Sequence, residues 1–376
     1  MIAGAADMMY DQFNPSLLQL AAVSPESTSV SISENLVVSL LKSTTVVGST
    51  TRKSSPASIK SGSHTDIGTR RLNEDQHIII DDLSKHLGDA YKWGLPSSFY
   101  AIFDGHGGSE AASYIKEHAL RLFFEDSDLP QAAPAGASDS DDVVDNDLFL
   151  KQVEESHHKA FLQADQALAD ECSVSGYCGT TALTVLIMGR RIIIANAGDC
   201  RAVLCRNGSA MQITEDHRGS TCLHEKERCE RLGGYFDEDG YLNGQLGVTR
   251  ALGDWHMKKE KLLIAEPDVR QMVLTDDDEF MIIACDGIWD VFANQEAVSL
   301  VRRQLRQHND PQNCAKELIN QALRLHATDN LTVIVVCFSS HTCTPTAQPR
   351  FPNSRLFRKK PLNIFQGDVK LDQVVT

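Results

Sequence analysis

Ten cysteines are present in the 376-residue sequence but no C-x-x-C pair, which removes the commonest zinc and dithiol signatures. No apolar run reaches about 18 residues, so no membrane-spanning helix is expected. Positive charge is also short: 36 basic side chains face 51 acidic ones, a net charge of −15. A general nucleic-acid or anionic-membrane binder would want a basic face, so neither is expected as a partner. G-x-x-x-x-G-K-[ST] is absent, which excludes a P-loop. His224-Glu225 begins like a zincin motif but has Arg228 where the second histidine would stand. The first ten residues hold Asp7 and no basic residue, unlike a secretory leader. Cys285 and Cys337 sit inside apolar runs, where a thiol behaves as a small hydrophobe. The expectation is a reduced intracellular protein of the cytoplasm or nucleus, with organelle targeting left open.

The charge is unevenly spread. Asp126, Asp128, Asp139, Asp141, Asp142, Asp145 and Asp147 lie in one Ala/Asp/Pro segment without a Lys or Arg. Residues 27–63 are rich in Ser and Thr, and the chain beyond Ser339 is basic. These boundaries divide the chain into an extension, 1–58, disordered or regulatory; a folded domain, 59–340, with an acidic surface insertion at 126–147; and a basic tail, 341–376.

Within the domain, QHIII (76–80) and FYAIF (99–103) read as short buried strands. Ala111, Ile115, Ala119, Leu122 and Phe123 share one face of a helix over 109–124, and Val153, His157, Phe161, Ala164 and Leu168 one face of a second. From Thr180 the pattern changes to strands: TALTVLIM and RIIIANA meet at Gly189-Arg190, and AVLCR runs to Asn207-Gly208, a hairpin dipeptide. A helix over 223–232 stops at Gly233-Gly234. EFMIIAC (279–285) and LTVIVVCF (331–338) are further strands, separated by a helix that Asn294 caps and that runs through His308 and by a second that Asp310-Pro311 starts and that runs to about His326. Strict strand–helix–strand alternation is missing, so the expected class is α+β, with antiparallel sheets covered by helices.

The acids fall where these apolar strands end. Asp104 follows FYAIF, Asp199 follows RIIIANAG, Asp286 follows MIIAC, Asp329 introduces the last strand and Glu74-Asp75 precede QHIII. One such Asp is an ordinary turn residue. Five such places are harder to account for, because clustered carboxylates repel unless cations neutralise them. Oxygen-only donors suit hard ions, Mg²⁺ or Mn²⁺.

Eight blocks then resemble, in order, the type 2C family of metal-dependent protein Ser/Thr phosphatases, in particular its plant members. They are GTRRLNED (68–75), FDGHGG (103–108), GTTA (179–182), NAGDCRAVL (196–204), EKERCERLGG (225–234), VTRALGDW (248–255), CDGIWDV (285–291) and DNLTVIVV (329–336). The resemblance implies a β-sandwich of two packed antiparallel sheets flanked by helices, in four layers α/β/β/α. It implies two Mg²⁺ or Mn²⁺ ions, with a third, weaker site. Asp104 would bridge the two ions and the Gly105 carbonyl would join the first. Asp286 and Asp329 would hold the second, Glu74 would bind through water, and Asp75 would lie in or beside the centre. Asp199 and Asp290 match positions of weaker metal occupancy. Arg70, four residues before Glu74, would grip the phosphate with its planar guanidinium, and His106 would be the general acid.

The implied reaction is hydrolysis of phosphoserine and phosphothreonine on proteins by water activated between the two metals, without a phosphoenzyme. The alternative is a catalytically weak, phosphatase-like scaffold that binds phosphoproteins or kinases. A monomer is expected in either case, with protein kinases as further partners. The stretch HRGSTCLHEKERCERL (217–232) departs from the family's commoner form in its first half, which bears on substrate preference.

Overall fold

The computed structural model describes residues 59–88, 91, 93, 96–125, 130, 147–171 and 173–338, all within the compact unit Ser54–Thr376. The extension 1–58, the 126–147 insertion apart from Pro130 and Asp147, and the tail 341–376 lie outside the described residues.

Two five-stranded antiparallel sheets form the centre. One runs in the order β1 (Lys60–Asp66), β13 (Leu331–Cys337), β12 (Asp278–Ala284), β8 (Arg201–Arg206), β9 (Ser209–Gln212). The other runs β11 (Asp268–Val273), β7 (Arg191–Ala197), β6 (Ala182–Met188), β3 (Ser97–Phe103), β2 (Gln76–Ile80). A third, small sheet, β10 (Leu252–Gly253), β5 (Gly179–Thr180) and β4 (Gly105–His106), was not expected. The helices are α1 (Leu83–Leu87), α2 (Glu110–Leu120), α3 (Asp147–Asp170), α4 (Leu223–Arg231), α5 (Trp255–Lys258), α6 (Asp286–Trp289), α7 (Asn294–His308) and α8 (Pro311–Arg324).

Strand side chains alternate between faces, and in the central strands β3, β6, β7, β12 and β13 both faces are covered, which is why these read as unbroken apolar runs. Phe99, Ala101 and Phe103 of β3 point to Ile115 and Ala119 of α2 and Phe161 of α3, while Tyr100 and Ile102 point to Met281, Ile283, Ile334 and Val336 of the other sheet. Phe280, Ile282 and Ala284 of β12 pack outward under Val298, Val301, Leu318 and Ile319 of α7 and α8. The result is the expected four layers of helix, sheet, sheet and helix.

The expected elements appear with small shifts. Helix α2 ends at Leu120 and Arg121–Glu125 continues as a single wider, π-type turn that still buries Leu122, Phe123 and Phe124. Asn294 is the first residue of α7 rather than its cap. Its side chain instead meets Arg201 Nη1 at 2.7 Å and Gln212 Oε1 at 2.9 Å. Asp310 caps α8 as anticipated, accepting from the amides of Gln312 and Asn313. His157 does lie on the buried face of α3, and burial lowers its pKa to about 4, so the ring is neutral there. The eight cysteines among the described residues are all free thiols. No helix among the described residues is long and apolar enough to cross a membrane.

Candidate active site

Antiparallel register brings the acids together. Gln76 of β2 pairs with Phe103 of β3, so Asp75 and Asp104 are the next residues outward on neighbouring strands. Ala284 of β12 pairs with Val333 of β13, and the Cys285 amide still donates to Thr332 O at 3.2 Å, which brings Asp286 and Asp329 to the same end. Strands β6 and β7 close with Ala182 opposite Ala197, just before Gly198-Asp199. Donor oxygens of Asp104, Asp199 and Asp286 lie within 4.8 Å of one another, as do those of Asp75 and Asp104 with the Cys285 thiol. Glu74, Asp290 and Asp329 border these groups without entering them.

The loop 67–75 is fastened over this end by Asn330. Its Nδ2 donates to the carbonyls of Ile67 and Leu72, both at 2.9 Å, and its Oδ1 accepts from the Glu74 amide at 2.9 Å. Gly68 has φ +61, and a Cβ there would meet Asp329 O at 2.0 Å, so the loop can lie this close only with glycine. Gly105 is similar: a Cβ would fall 2.5 Å from Glu74 O. The Glu74 carboxylate accepts from the Gly108 amide at 2.7 Å. Arg70, about half exposed, donates to Asp329 Oδ2 at 2.7 Å.

The carboxylates are held in an unfavourable state. Burial pushes the Asp75 pKa up to about 6, although the Thr332 hydroxyl donates to its Oδ2 at 2.6 Å. Its other oxygen is buried without a hydrogen-bond partner. Asp104 is raised well above the ordinary carboxylate range by burial and then by Asp75, Asp286 and Asp199. Asp286 is raised by burial and by Asp199, against the opposing pull of Arg218.

Arg218 is the residue that the sequence reading missed. Its Nε donates to Asp199 at 2.5 Å, its Nη1 to Asp290 at 3.1 Å and its Nη2 to Asp286. Burial alone would lower its pKa, but Asp199 and Asp286 outweigh that and raise it. It is placed by His217, whose amide donates to Gly198 O at 3.0 Å while Nδ1 accepts from the Gly198 amide at 3.1 Å. Behind them, buried Glu225 accepts from Thr249 at 2.7 Å, Arg250 at 2.8 Å and Arg228 at 2.9 Å. Burial would raise the Glu225 pKa, yet these donors bring it down to about 2.

The centre therefore has oxygen donors, unrelieved negative charge and an unpartnered buried carboxylate oxygen, and it already attracts an internal cation. That donor set fits hard divalent ions. Cys285 and Cys200 are buried beside it with thiol pKa values pushed far up, first by desolvation, so both stay protonated.

His106 extends from β4, and its Nε2 lies 2.6 Å from Oδ2 of buried Asp254. Asp254 follows β10 with φ +53, and the three two-residue strands of the small sheet bring it to the imidazole. It stood unassigned inside ALGDW, where a carboxylate without a role was the available signal. Arg218 lies in the segment already set apart as divergent.

The fold is that of phosphatases with solved structures. A serine-threonine phosphatase 2C from Toxoplasma gondii superimposes with a TM-score of 0.63 over 76% of this chain and 96% of its own, at 23% identity. A C. elegans sex determining protein gives 0.61 over 75% and 65%, at 24% identity. At that identity the likeness defines the architecture alone. The family model described as "Protein phosphatase 2C" matches residues 59–331. "Probable protein phosphatase 2C 47" of rice (Oryza sativa subsp. japonica) is 56% identical over 295 residues, 77% of this chain and 72% of its own length. "Probable protein phosphatase 2C 13" of Arabidopsis thaliana is 54% identical over 312 residues, 82% and 78%. The chain belongs to the protein phosphatase 2C family. It is thus a hydrolase, a protein phosphatase that acts on phosphoproteins, from a metal-dependent family.

Proposed function

We propose that the chain removes phosphate from phosphoserine and phosphothreonine in proteins, using two Mg²⁺ or Mn²⁺ ions and a third, weaker site. The observation that carries this reading is the convergence of Asp104, Asp199 and Asp286, with donor oxygens within 4.8 Å. Asp104, the Gly105 carbonyl, Asp286, Asp329, Glu74 and Asp75 would hold the principal ions, and Asp199 and Asp290 the weaker one. When bound, the ions supply Lewis acidity and water of lowered pKa.

The remaining roles fall to side chains. Arg70 is exposed enough to leave Asp329 for a phosphate, where its fork can donate two hydrogen bonds. His106, oriented by Asp254 at 2.6 Å, protonates the departing Ser or Thr oxygen as the general acid. The protonated, buried thiols of Cys200 and Cys285 make poor nucleophiles. No phosphoenzyme is therefore expected: acid quenching during turnover of a ³²P-labelled phosphoprotein should leave no label on the protein, and stoichiometric label would exclude direct attack by water.

Arg218 favours a second reading, a phosphoprotein-binding scaffold with little turnover, because it already neutralises part of the centre. On the phosphatase reading it competes with divalent ions for Asp199, Asp286 and Asp290. Arg218→Ala should then tighten Mn²⁺ binding about tenfold, roughly the weight of one charge-assisted contact. Equilibrium dialysis measures this directly, and unchanged or weaker binding would remove the competition.

A further inference from the structure

A second group of metal-binding side chains stands apart from the carboxylate centre. Glu215 lies in the loop after β9, Cys222 immediately precedes α4, and His224 is the second residue of α4. One donor atom from each lies within 4.8 Å of the other two. The Cys222 sulfur is 3.3 Å from Nδ1 and 3.6 Å from Nε2 of His224, and Nδ1 is 3.8 Å from Glu215 Oε1, so a turn of the exposed His224 ring would aim one nitrogen at an ion shared with the other two donors. Donors that bind one tetrahedral zinc at about 2.0–2.3 Å are themselves separated by about 3.3–3.7 Å, close to these values.

We propose that Glu215, Cys222 and His224 form a separate site for a zinc-type ion. The chemistry differs from that of the carboxylate centre: a thiolate and an imidazole select zinc-like ions over Mg²⁺. Cys222 is buried, whereas the side chains of His224 and Glu215 are 54% and 41% exposed, so an ion can enter from solvent and keep water in the fourth position. Binding replaces the Cys222 S–H bond by a sulfur–metal bond and releases one proton to solvent. The ion would tie together the two ends of the loop that carries Arg218, whose carbonyl already accepts from the Cys222 amide at 2.8 Å. The proposal does not depend on the phosphatase reaction.

Co²⁺ reports the site by absorption, because a cobalt–thiolate bond gives a near-ultraviolet charge-transfer band. The full chain, with excess Mg²⁺ to fill the hard-ion positions, is titrated with Co²⁺ and then with Zn²⁺. The expected band saturates at one equivalent, is displaced by Zn²⁺, and is lost in Cys222→Ser. His224→Ala, an exposed substitution that leaves the core untouched, should weaken Co²⁺ binding at least tenfold. Asp286→Asn should leave the band unchanged. Absence of the band, its survival in Cys222→Ser, or full Co²⁺ affinity in His224→Ala would overturn the site. So would loss of the band in Asp286→Asn, since the thiolate would then belong to the carboxylate centre.

Discussion

Asp104→Asn is expected to cut turnover on the order of 10³-fold or more while making the metal-free protein more stable. Losing a group that stabilises charge at the reacting centre commonly costs this much in rate. The stability change runs the other way because Asp104 is desolvated and faces Asp75, Asp286 and Asp199. An amide of the same shape removes one negative charge from that repulsion. In EDTA the melting temperature should rise by a few degrees, at roughly 2–4 °C per kcal/mol for a domain of this size. Saturating Mn²⁺ should reverse the order: an ion at a hundred times its Kd adds about 2.7 kcal/mol to the wild type, and the variant should lose most of that gain.

The pH dependence has the same origin. Carboxylates with raised pKa hold their protons more tightly when folded, so their stabilisation is complete at low pH and lost as pH rises through the folded value. For Asp75 that value is about 6. The metal-free wild type should lose stability from this group between about pH 4 and pH 6, and Asp104→Asn should flatten the slope. Thermal melts across that range, with and without metal, measure both effects. A metal-free variant less stable than the wild type would show that the carboxylates are not repelling one another.

His106→Ala should lower turnover of a phosphothreonine peptide by about 10²–10⁴-fold, the usual weight of a positioned general acid. The departing threonine oxygen is strongly basic and needs a proton as the P–O bond breaks. With p-nitrophenyl phosphate the leaving nitrophenolate is stable without one, so the loss there should be much smaller. Asp254→Asn should fall between wild type and His106→Ala on the peptide, because it disturbs the orientation of the ring without removing it. Steady-state kinetics on the two substrates make the comparison. Equal losses on both would take the proton-donor role from His106 and leave it a structural part of β4.

Strand ends were the legible part of the site. Every expected acid except Asp290, which ends helix α6, followed or preceded an apolar run, and because strands of one sandwich share two ends, antiparallel pairing brought them together. The main strands were legible for the same reason, being apolar on both faces. Strand β1, KSGSHTD, was not, because an edge strand with Ser, Gly and Thr has no apolar alternation to read. Nor was the small sheet: two-residue strands have no period. Arg218 was missed because its role comes from the backbone pairing of His217 with Gly198, a contact between residues 19 apart that no local pattern encodes. Asp254 needed the same kind of information, since the small sheet brings it to His106 across 148 residues. Side chains set by strand register could be read from sequence, and those set by loop docking could not.

On the reading proposed above, the carboxylates at this end of the sandwich form a divalent-cation centre that drives dephosphorylation. The most direct measurement is phosphate release from a phosphothreonine peptide by the purified full chain, with Mg²⁺ or Mn²⁺ and again after excess EDTA. Turnover is expected with either ion, none in EDTA, and recovery when the ion is returned. Full activity in EDTA, or no turnover by a folded protein carrying bound metal, would contradict it.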